Sequence, residues 1–280
     1  MDMKKPVLVL LALLGTGLAS GQDLPPTEKV LVPIFFEGEV AGGYGSRWTA
    51  QLVVTNRGDS PIGIGGIMPF LSCPFDPCEW PPNLLPPLLN GSTLFAVSAS
   101  PVTFPPSSLL LVEEGRIDEL SISLRIQDVS RQALTWGTEI PVVPESEAFT
   151  GSSDLLNVPV DFRFRVLLRV YSFDPATGQR VLVTGYAIDP NERYVTSEPQ
   201  EVVKVFETHV DLAPPSAVAF KFPYAVPGYG QLDLATLAPF PPDVERLRIR
   251  VEPEDASFAY WAFLSVTNNE TQHVTTIVPD

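Results

Sequence analysis

Along most of this chain, apolar and polar residues alternate in short bursts that end at Gly, Pro, Asn or Asp. Alternation puts successive side chains on opposite faces of an extended backbone, so the pattern predicts half-buried strands and not helices. Ser121-Ile122-Ser123-Leu124-Arg125-Ile126-Gln127 is one clear case. Phe162-Arg163-Phe164-Arg165-Val166, running on to Val170, and Leu247-Arg248-Ile249-Arg250-Val251 are two more. In these, Phe162, Phe164, Val166, Leu168, Val170 and Leu247, Ile249, Val251 form apolar faces expected to be core. About a dozen such strands and no helix are expected, spaced roughly every 8–12 residues as in packed antiparallel sheets. The expected fold class is all-β: two antiparallel β-sandwich domains, Ig-like or jelly-roll-like, after a signal peptide.

Turn residues divide this pattern further. Residues 258–267 and 271–278 flank Asn268-Asn269-Glu270, where Asn tolerates the positive φ of a tight turn, so a terminal hairpin is expected. A second hairpin is expected where residues 166–173 meet 180–187 across Asp174-Pro175-Ala176-Thr177-Gly178. Residues 141–154, with Pro144, Glu145, Glu147 and Gly151-Ser152-Ser153, read as a linker. The expected division is a signal peptide over 1–21, an N-terminal sandwich over 22–144 and a C-terminal sandwich over 145–280. Ala50-Gln51-Leu52-Val53-Val54-Thr55-Asn56 echoes Ala262-Phe263-Leu264-Ser265-Val266-Thr267-Asn268, each with a Trp just upstream, Trp48 and Trp261. Strand periodicity alone can produce such an echo.

Composition agrees with strands and adds a compartment. The 30 prolines are about twice ordinary usage, many in doublets such as Pro81-Pro82 and Pro214-Pro215, and proline in a helix interior removes a hydrogen bond and clashes. Lys4 and Lys5, the apolar run 7–14 and the small residues Ala19, Ser20 and Gly21 follow the order of a cleavable secretory signal. That run is shorter than the roughly 20 residues of a membrane helix, and no second long apolar run occurs. No Cys follows Leu18-Ala19-Ser20-Gly21, so a lipoprotein attachment site is missing. The net charge is −15 with Asp2, Lys4 and Lys5 included; cleavage after Gly21 removes +1 and leaves −16. Nucleic acid and anionic lipid repel such a chain. The expected location is secreted, periplasmic or extracellular, with no membrane span and no nucleic-acid partner.

Trp136-Gly137-Thr138-Glu139-Ile140-Pro141-Val142-Val143, Asn157-Val158-Pro159 and the segment from Trp261 to Asn269 resemble strands of uncharacterised secreted bacterial β-sandwich proteins. The resemblance touches both halves of the chain. It implies secretion and a sandwich fold, and it carries no catalytic motif or activity.

The candidate chemistry is sparse. Cys73 and Cys78 are the only cysteines, and in an exported protein an isolated pair reads as one disulfide. It would rigidify Pro74-Phe75-Asp76-Pro77 with about 2 kcal/mol of stabilisation, a local role; the alternative is that the stapled loop displays Phe75 and Trp80 to a ligand. His209 and His273 are the only histidines and stand in no metal or nucleophile motif. No catalytic or metal-ligating residue and no cofactor are therefore expected. Glu113-Glu114, Asp118-Glu119 and Glu252, Glu254, Asp255 supply acids that a glycosidase could use, but all fall at expected turns or strand ends. Asp174 with Thr177, and Asp189 with Asn191 and Glu192, match no calcium-loop spacing. Gly42-Gly43-Tyr44-Gly45-Ser46-Arg47 reads as a flexible loop, because strand and not helix follows it. Asn90-Gly91-Ser92 and Asn269-Glu270-Thr271 fit both glycosylation acceptors and turns.

The most specific pattern is a pair of arginine rows. Arg163, Arg165 and Arg169 share one strand face, and Arg246, Arg248 and Arg250 share another. Two readings stand: pairing with Asp and Glu on neighbouring strands, or an anion-binding stripe made by both rows side by side on one sheet, suited to acidic polysaccharide. The function expected from the whole is a secreted non-enzymatic module for binding, adhesion or envelope structure, binding an anionic glycan or another extracellular protein. The alternative is an extracellular carbohydrate-active enzyme or its accessory module.

Overall fold

The computed structural model describes residues 26–34, 39–66, 88–96, 107–131, 136–174, 179–188, 203–212, 227–237, 239–255 and 258–279. The signal segment, the Cys73–Cys78 pair with Phe75 and Trp80, and Asp189, Asn191 and Glu192 lie outside them. The strands of the first half are β1 (Thr27–Val32), β2 (Val40–Ala41), β3 (Arg47–Asn56), β4 (Ile64–Gly66), β5 (Thr93–Ala96), β6 (Ser108–Glu113), β7 (Leu120–Asp128), β8 (Thr138–Ile140) and β9 (Val143–Pro144). Those of the second are β10 (Ser153–Pro159), β11 (Phe164–Ser172), β12 (Gln179–Ala187), β13 (Lys204–Leu212), β14 (Gly228–Asp233), β15 (Arg246–Pro253), β16 (Tyr260–Asn268) and β17 (Val274–Ile277). Between them, among the described residues, lie only short 3-10 turns and irregular connections, so the fold is all-β.

Among the described residues these strands form four antiparallel sheets. Sheet I runs β4-β6-β1-β9 and sheet II runs β2-β3-β7-β8, with β5 also paired to β3. Sheet III runs β10-β15-β12-β13 and sheet IV runs β14-β11-β16-β17. Sheets III and IV share one core: Leu155, Val158, Val181, Val183, Leu247, Ile249 and Val251 from one meet Val166, Leu168, Val170, Ala262 and Leu264 from the other. The Tyr260 hydroxyl lies within this core, 2.8 Å from the Val251 carbonyl and 2.9 Å from Ser153 Oγ. Burial pushes its pKa up to about 12, partly offset by the bonds to Ser153.

Sheet I is buried on both faces. Lys29 and Leu31 share a face, and Lys29 Nζ reaches Glu145 (3.0 Å) and Asp174 (3.4 Å), so this face looks towards the second half of the chain. Val30 and Val32 point the other way, and Val30, Leu31 and Val32 are all fully buried. One continuous cluster accordingly joins the strands of sheets I and II to Tyr171, Phe173, Trp261, Phe263 and Val274 of the second half. Double burial is the reason β1 and β6 read as unbroken apolar runs, Val30-Leu31-Val32 and Leu109-Leu110-Leu111-Val112, in place of an alternation.

Several expectations need correction. The 141–154 stretch is not a free linker: β9 pairs with β1, a 3-10 turn spans Glu145–Glu147, and Phe149 bridges Tyr260 before β10 begins at Ser153. The 166–173/180–187 hairpin does not form, because β11 belongs to sheet IV and β12 to sheet III. Phe162 is not core. It is 90% exposed in the turn preceding β11, whose alternation begins two residues later and buries Val166, Leu168 and Val170. The terminal hairpin β16–β17 does form, yet the positive φ falls on Gln272 (57°) and on neither Asn of its turn. Asn268 contributes through its side chain, Oδ1 accepting from the Glu270 and Thr271 amides at 2.9 Å. Asn56, its echo at the end of β3, likewise accepts from Gly58 N at 2.8 Å. Gly42 to Ser46 is a hydrogen-bonded 3-10 turn, closed by Ser46 Oγ on the Gly43 carbonyl at 2.7 Å.

Candidate functional site

The arginine rows do not lie side by side. The row on β11 belongs to sheet IV and the row on β15 to sheet III, on opposite sides of one core. A side chain's face follows from strand period, but which strands become neighbours does not, and here the topology separates them.

Each arginine with described contacts is also engaged internally. Arg163 sits in the turn before β11, where the Asp161 carboxylate takes its backbone N–H and its Nε, both at 2.8 Å. Arg165 lies against the Gly43 backbone of the first half: a β-carbon at Gly43 would fall 2.5 Å from Arg165 Nη1. Arg169 donates to Ser265 Oγ at 2.5 Å and lies 5.7 Å from the Phe263 ring. On sheet III, Arg246 bonds Asn157 Oδ1, while Arg248 and Arg250 each grip Asp154 with Nε and Nη2 at 2.9 to 3.1 Å. Asp154 is partly desolvated, which opposes its charge, but the hydrogen bonds from Arg250 and Arg248 prevail and hold its pKa below the usual carboxylate range. Arg180, Asp211, Glu254 and His209 continue this alternation of charge along the same face, with His209 Nδ1 2.6 Å from Glu254 Oε1. The geometry is that of cross-strand pairing.

A different place has unengaged recognition groups. On the outer face of sheet II, Gln51 lies opposite Arg125 and Val53 opposite Ser123 across the β3–β7 ladder. Their partners on the inner face, Ala50, Leu52, Leu124 and Ile126, are core, which fixes these four outward. Together with Trp136 they line an open depression of about 640 Å³, within the roughly 300–1,000 Å³ of small-ligand sites.

Trp136 is placed by the residue after it. Gly137 has φ 71°, and a β-carbon there would meet the Ile126 carbonyl oxygen at 2.3 Å. Glycine therefore lets the chain turn hard against β7 just before β8, leaving the Trp136 ring 5.6 Å from Arg125 Cζ and 82% exposed. Such a cation–π contact is worth about 0.5–1 kcal/mol at an exposed site. The nearest acid to Arg125 is Glu139 on β8, at 3.7 Å and beyond hydrogen-bond reach. Among the described residues the side chains of Gln51, Ser123 and Arg125 make no hydrogen bond, in contrast to Ser121 one step along the same face, which pairs with Arg57 at 2.5 Å. The face thus offers an aromatic wall, a guanidinium with open donors, an amide and a hydroxyl.

None of these five residues stood out as a site in the sequence. The available signal was a Trp-Gly pair just before a strand, next to the strand 121–127 with its polar alternate residues. No family model, curated protein or solved structure matches the chain.

Proposed function

We propose that this protein is a secreted, non-enzymatic module for binding, adhesion or envelope structure, built as two β-sandwich domains of Ig-like or jelly-roll-like type, with a glycan as its ligand. The observation that carries the reading is the exposed Trp136 ring, set beside Arg125 over a depression floored by Gln51, Val53 and Ser123. Aromatic rings pair an apolar face with a rigid frame at low entropic cost, and this suits the C–H face of a sugar while the polar groups beside it meet hydroxyls. The signal-like N-terminus supports secretion, and the sandwich-like packing of sheets III and IV supports the domain type. A Cys73–Cys78 disulfide, expected from the sequence, would present Phe75 and Trp80 as a second aromatic surface. No helix among the described residues is long and apolar enough to cross a membrane.

The test is binding of the mature protein to an array of neutral and acidic glycans, wild type beside Trp136→Ala. Retained glycans that Trp136→Ala loses by about tenfold or more support the reading. An array on which the two proteins behave alike removes Trp136 as the site.

A further inference from the structure

We infer that the Trp136 face selects a carboxylated saccharide, with Arg125 as the group that reads the carboxylate and Glu139 as a resident counter-charge that the ligand displaces. The inference rests on the proposed glycan-binding role of that face and adds the charge class of the ligand.

Several other guanidinium groups of this protein spend donors on carboxylates. Arg248 and Arg250 each bond Asp154 through two nitrogens, Arg116 bonds Glu119 at 2.7 and 3.0 Å, and Arg180 bonds Asp211 at 2.5 Å. Arg125 is held differently. It has an indole ring at one side, a carboxylate at 3.7 Å and no hydrogen bond among the described residues. A guanidinium is a planar fork of N–H donors that matches a carboxylate bidentately. Its donors are oriented by Trp136 and unspent.

Glu139 stands where a ligand carboxylate would compete with it. It is directly opposite Arg125 across the β7–β8 ladder, and its side chain is 65% exposed against 35% for Arg125. Exposed pairs of this length contribute little, about 0–1 kcal/mol, so exchanging it for a better-aligned acid costs little. Gln51 and Ser123 lie beside Arg125 on the floor and offer an amide and a hydroxyl for the sugar's own hydroxyls, while Trp136 and Val53 supply the apolar wall. A uronic acid combines these features, because its carboxyl group is attached directly to a ring whose C–H face can lie on the indole. The net charge of −15 opposes any polyanion at long range. Salt screens that repulsion beyond about 10 Å at 0.1 M, so the selectivity is that of a local cation and is measured at that ionic strength.

The probes are polygalacturonate, its fully methyl-esterified form, dextran and dextran sulfate, titrated calorimetrically into the mature wild-type protein and into Arg125→Gln, Glu139→Gln and Trp136→Ala. The expected result is polygalacturonate binding about tenfold or more above the esterified polymer. Arg125→Gln should erase that difference, and Glu139→Gln should tighten polygalacturonate binding by about two- to fivefold. Trp136→Ala should lose both polymers. Each substitution is at an outward or exposed position, and thermal denaturation confirms that the variants are folded. Equal binding of the esterified and acidic polymers, lost in Trp136→Ala, overturns the carboxylate assignment while leaving the glycan site standing. Preference for dextran sulfate, or a Glu139→Gln variant that binds polygalacturonate more weakly, also overturns it. Failure of polygalacturonate to bind overturns the inference, and failure of every glycan on the array removes the underlying reading as well.

Discussion

Asp154 holds two guanidinium groups with two oxygens, so its removal leaves Arg248 and Arg250 without their acceptor at once. Asp154→Ala should destabilise the protein by about 1–3 kcal/mol, measurable as a shift in the urea midpoint, and Arg248→Ala or Arg250→Ala alone should cost less. The pH dependence has a definite sign. The folded pKa of Asp154 is lowered, so its contribution is fully present above the unfolded carboxylate value of about 3.9 and is lost as pH falls through the lower folded value. The gap in stability between wild type and Asp154→Asn should therefore be constant above about pH 5 and close below about pH 4. A gap that persists unchanged to pH 2 would show that the charge contributes nothing. Guanidinium groups so engaged would have to give up an internal acceptor to take an external ligand, whereas Arg125 makes no hydrogen bond among the described residues.

Elements depend on single positions whose roles are opposite to their appearance in the sequence. Gly137 looks like a generic strand breaker, yet its left-handed φ, and the 2.3 Å that would separate a β-carbon there from the Ile126 carbonyl oxygen, make it the residue that brings Trp136 back over β7. Gly137→Ala should cost more than the about 1–2 kcal/mol of a left-handed φ alone, because its β-carbon would also meet the Ile126 carbonyl, and it should also weaken glycan binding, although residue 137 does not line the depression. Unchanged binding in that variant would separate the turn from the site. Phe162 looks like core and is a turn residue: Asn269 donates to its carbonyl at 2.9 Å, and Asp161 accepts from the backbone N–H of the next residue, Arg163, at 2.8 Å. Phe162→Ala should alter stability by no more than about 0.5 kcal/mol, whereas Leu168→Ala, fully buried six residues later, should cost about 2–5 kcal/mol. A loss at Phe162 comparable to that at Leu168 would contradict its exposure.

At the scale of the molecule, the division of strands and the division of the core do not coincide. The strands of sheets I and II end at Pro144 and those of sheets III and IV begin at Ser153. The hydrophobic cluster nevertheless crosses that line through Tyr171, Phe173, Trp261 and Phe263, and the Phe263 ring stacks between those of Tyr171 and Trp261 with centroids 6.3 and 5.2 Å away. Thr138 Oγ1 adds a hydrogen bond to the Val274 carbonyl at 2.8 Å, and Lys29 an ion pair to Asp174. Burial of this kind couples the halves, so calorimetry of the intact chain should give one unfolding transition with matching calorimetric and van't Hoff enthalpies. Trp261→Ala should lower that transition without splitting it. Two resolved transitions in the wild type would mean that the halves unfold independently despite the shared cluster.

Strand character was legible from the sequence because the side-chain period of an extended chain is local: two residues decide which face is apolar, as the buried Leu124 and Ile126 and the outward Ser123 and Arg125 show. The terminal hairpin was legible for the same reason, since its strands and turn are contiguous. Pairing between distant strands was not. Whether β11 meets β12 or β16, and whether two arginine rows share a sheet, depends on which crossovers bury the most apolar surface, and that is a property of the whole chain. The face proposed to bind a glycan belongs to this second kind. Gln51, Ser123, Arg125 and Trp136 carry no common motif, and only the pairing of β3 with β7 and the turn at Gly137 set them around one depression.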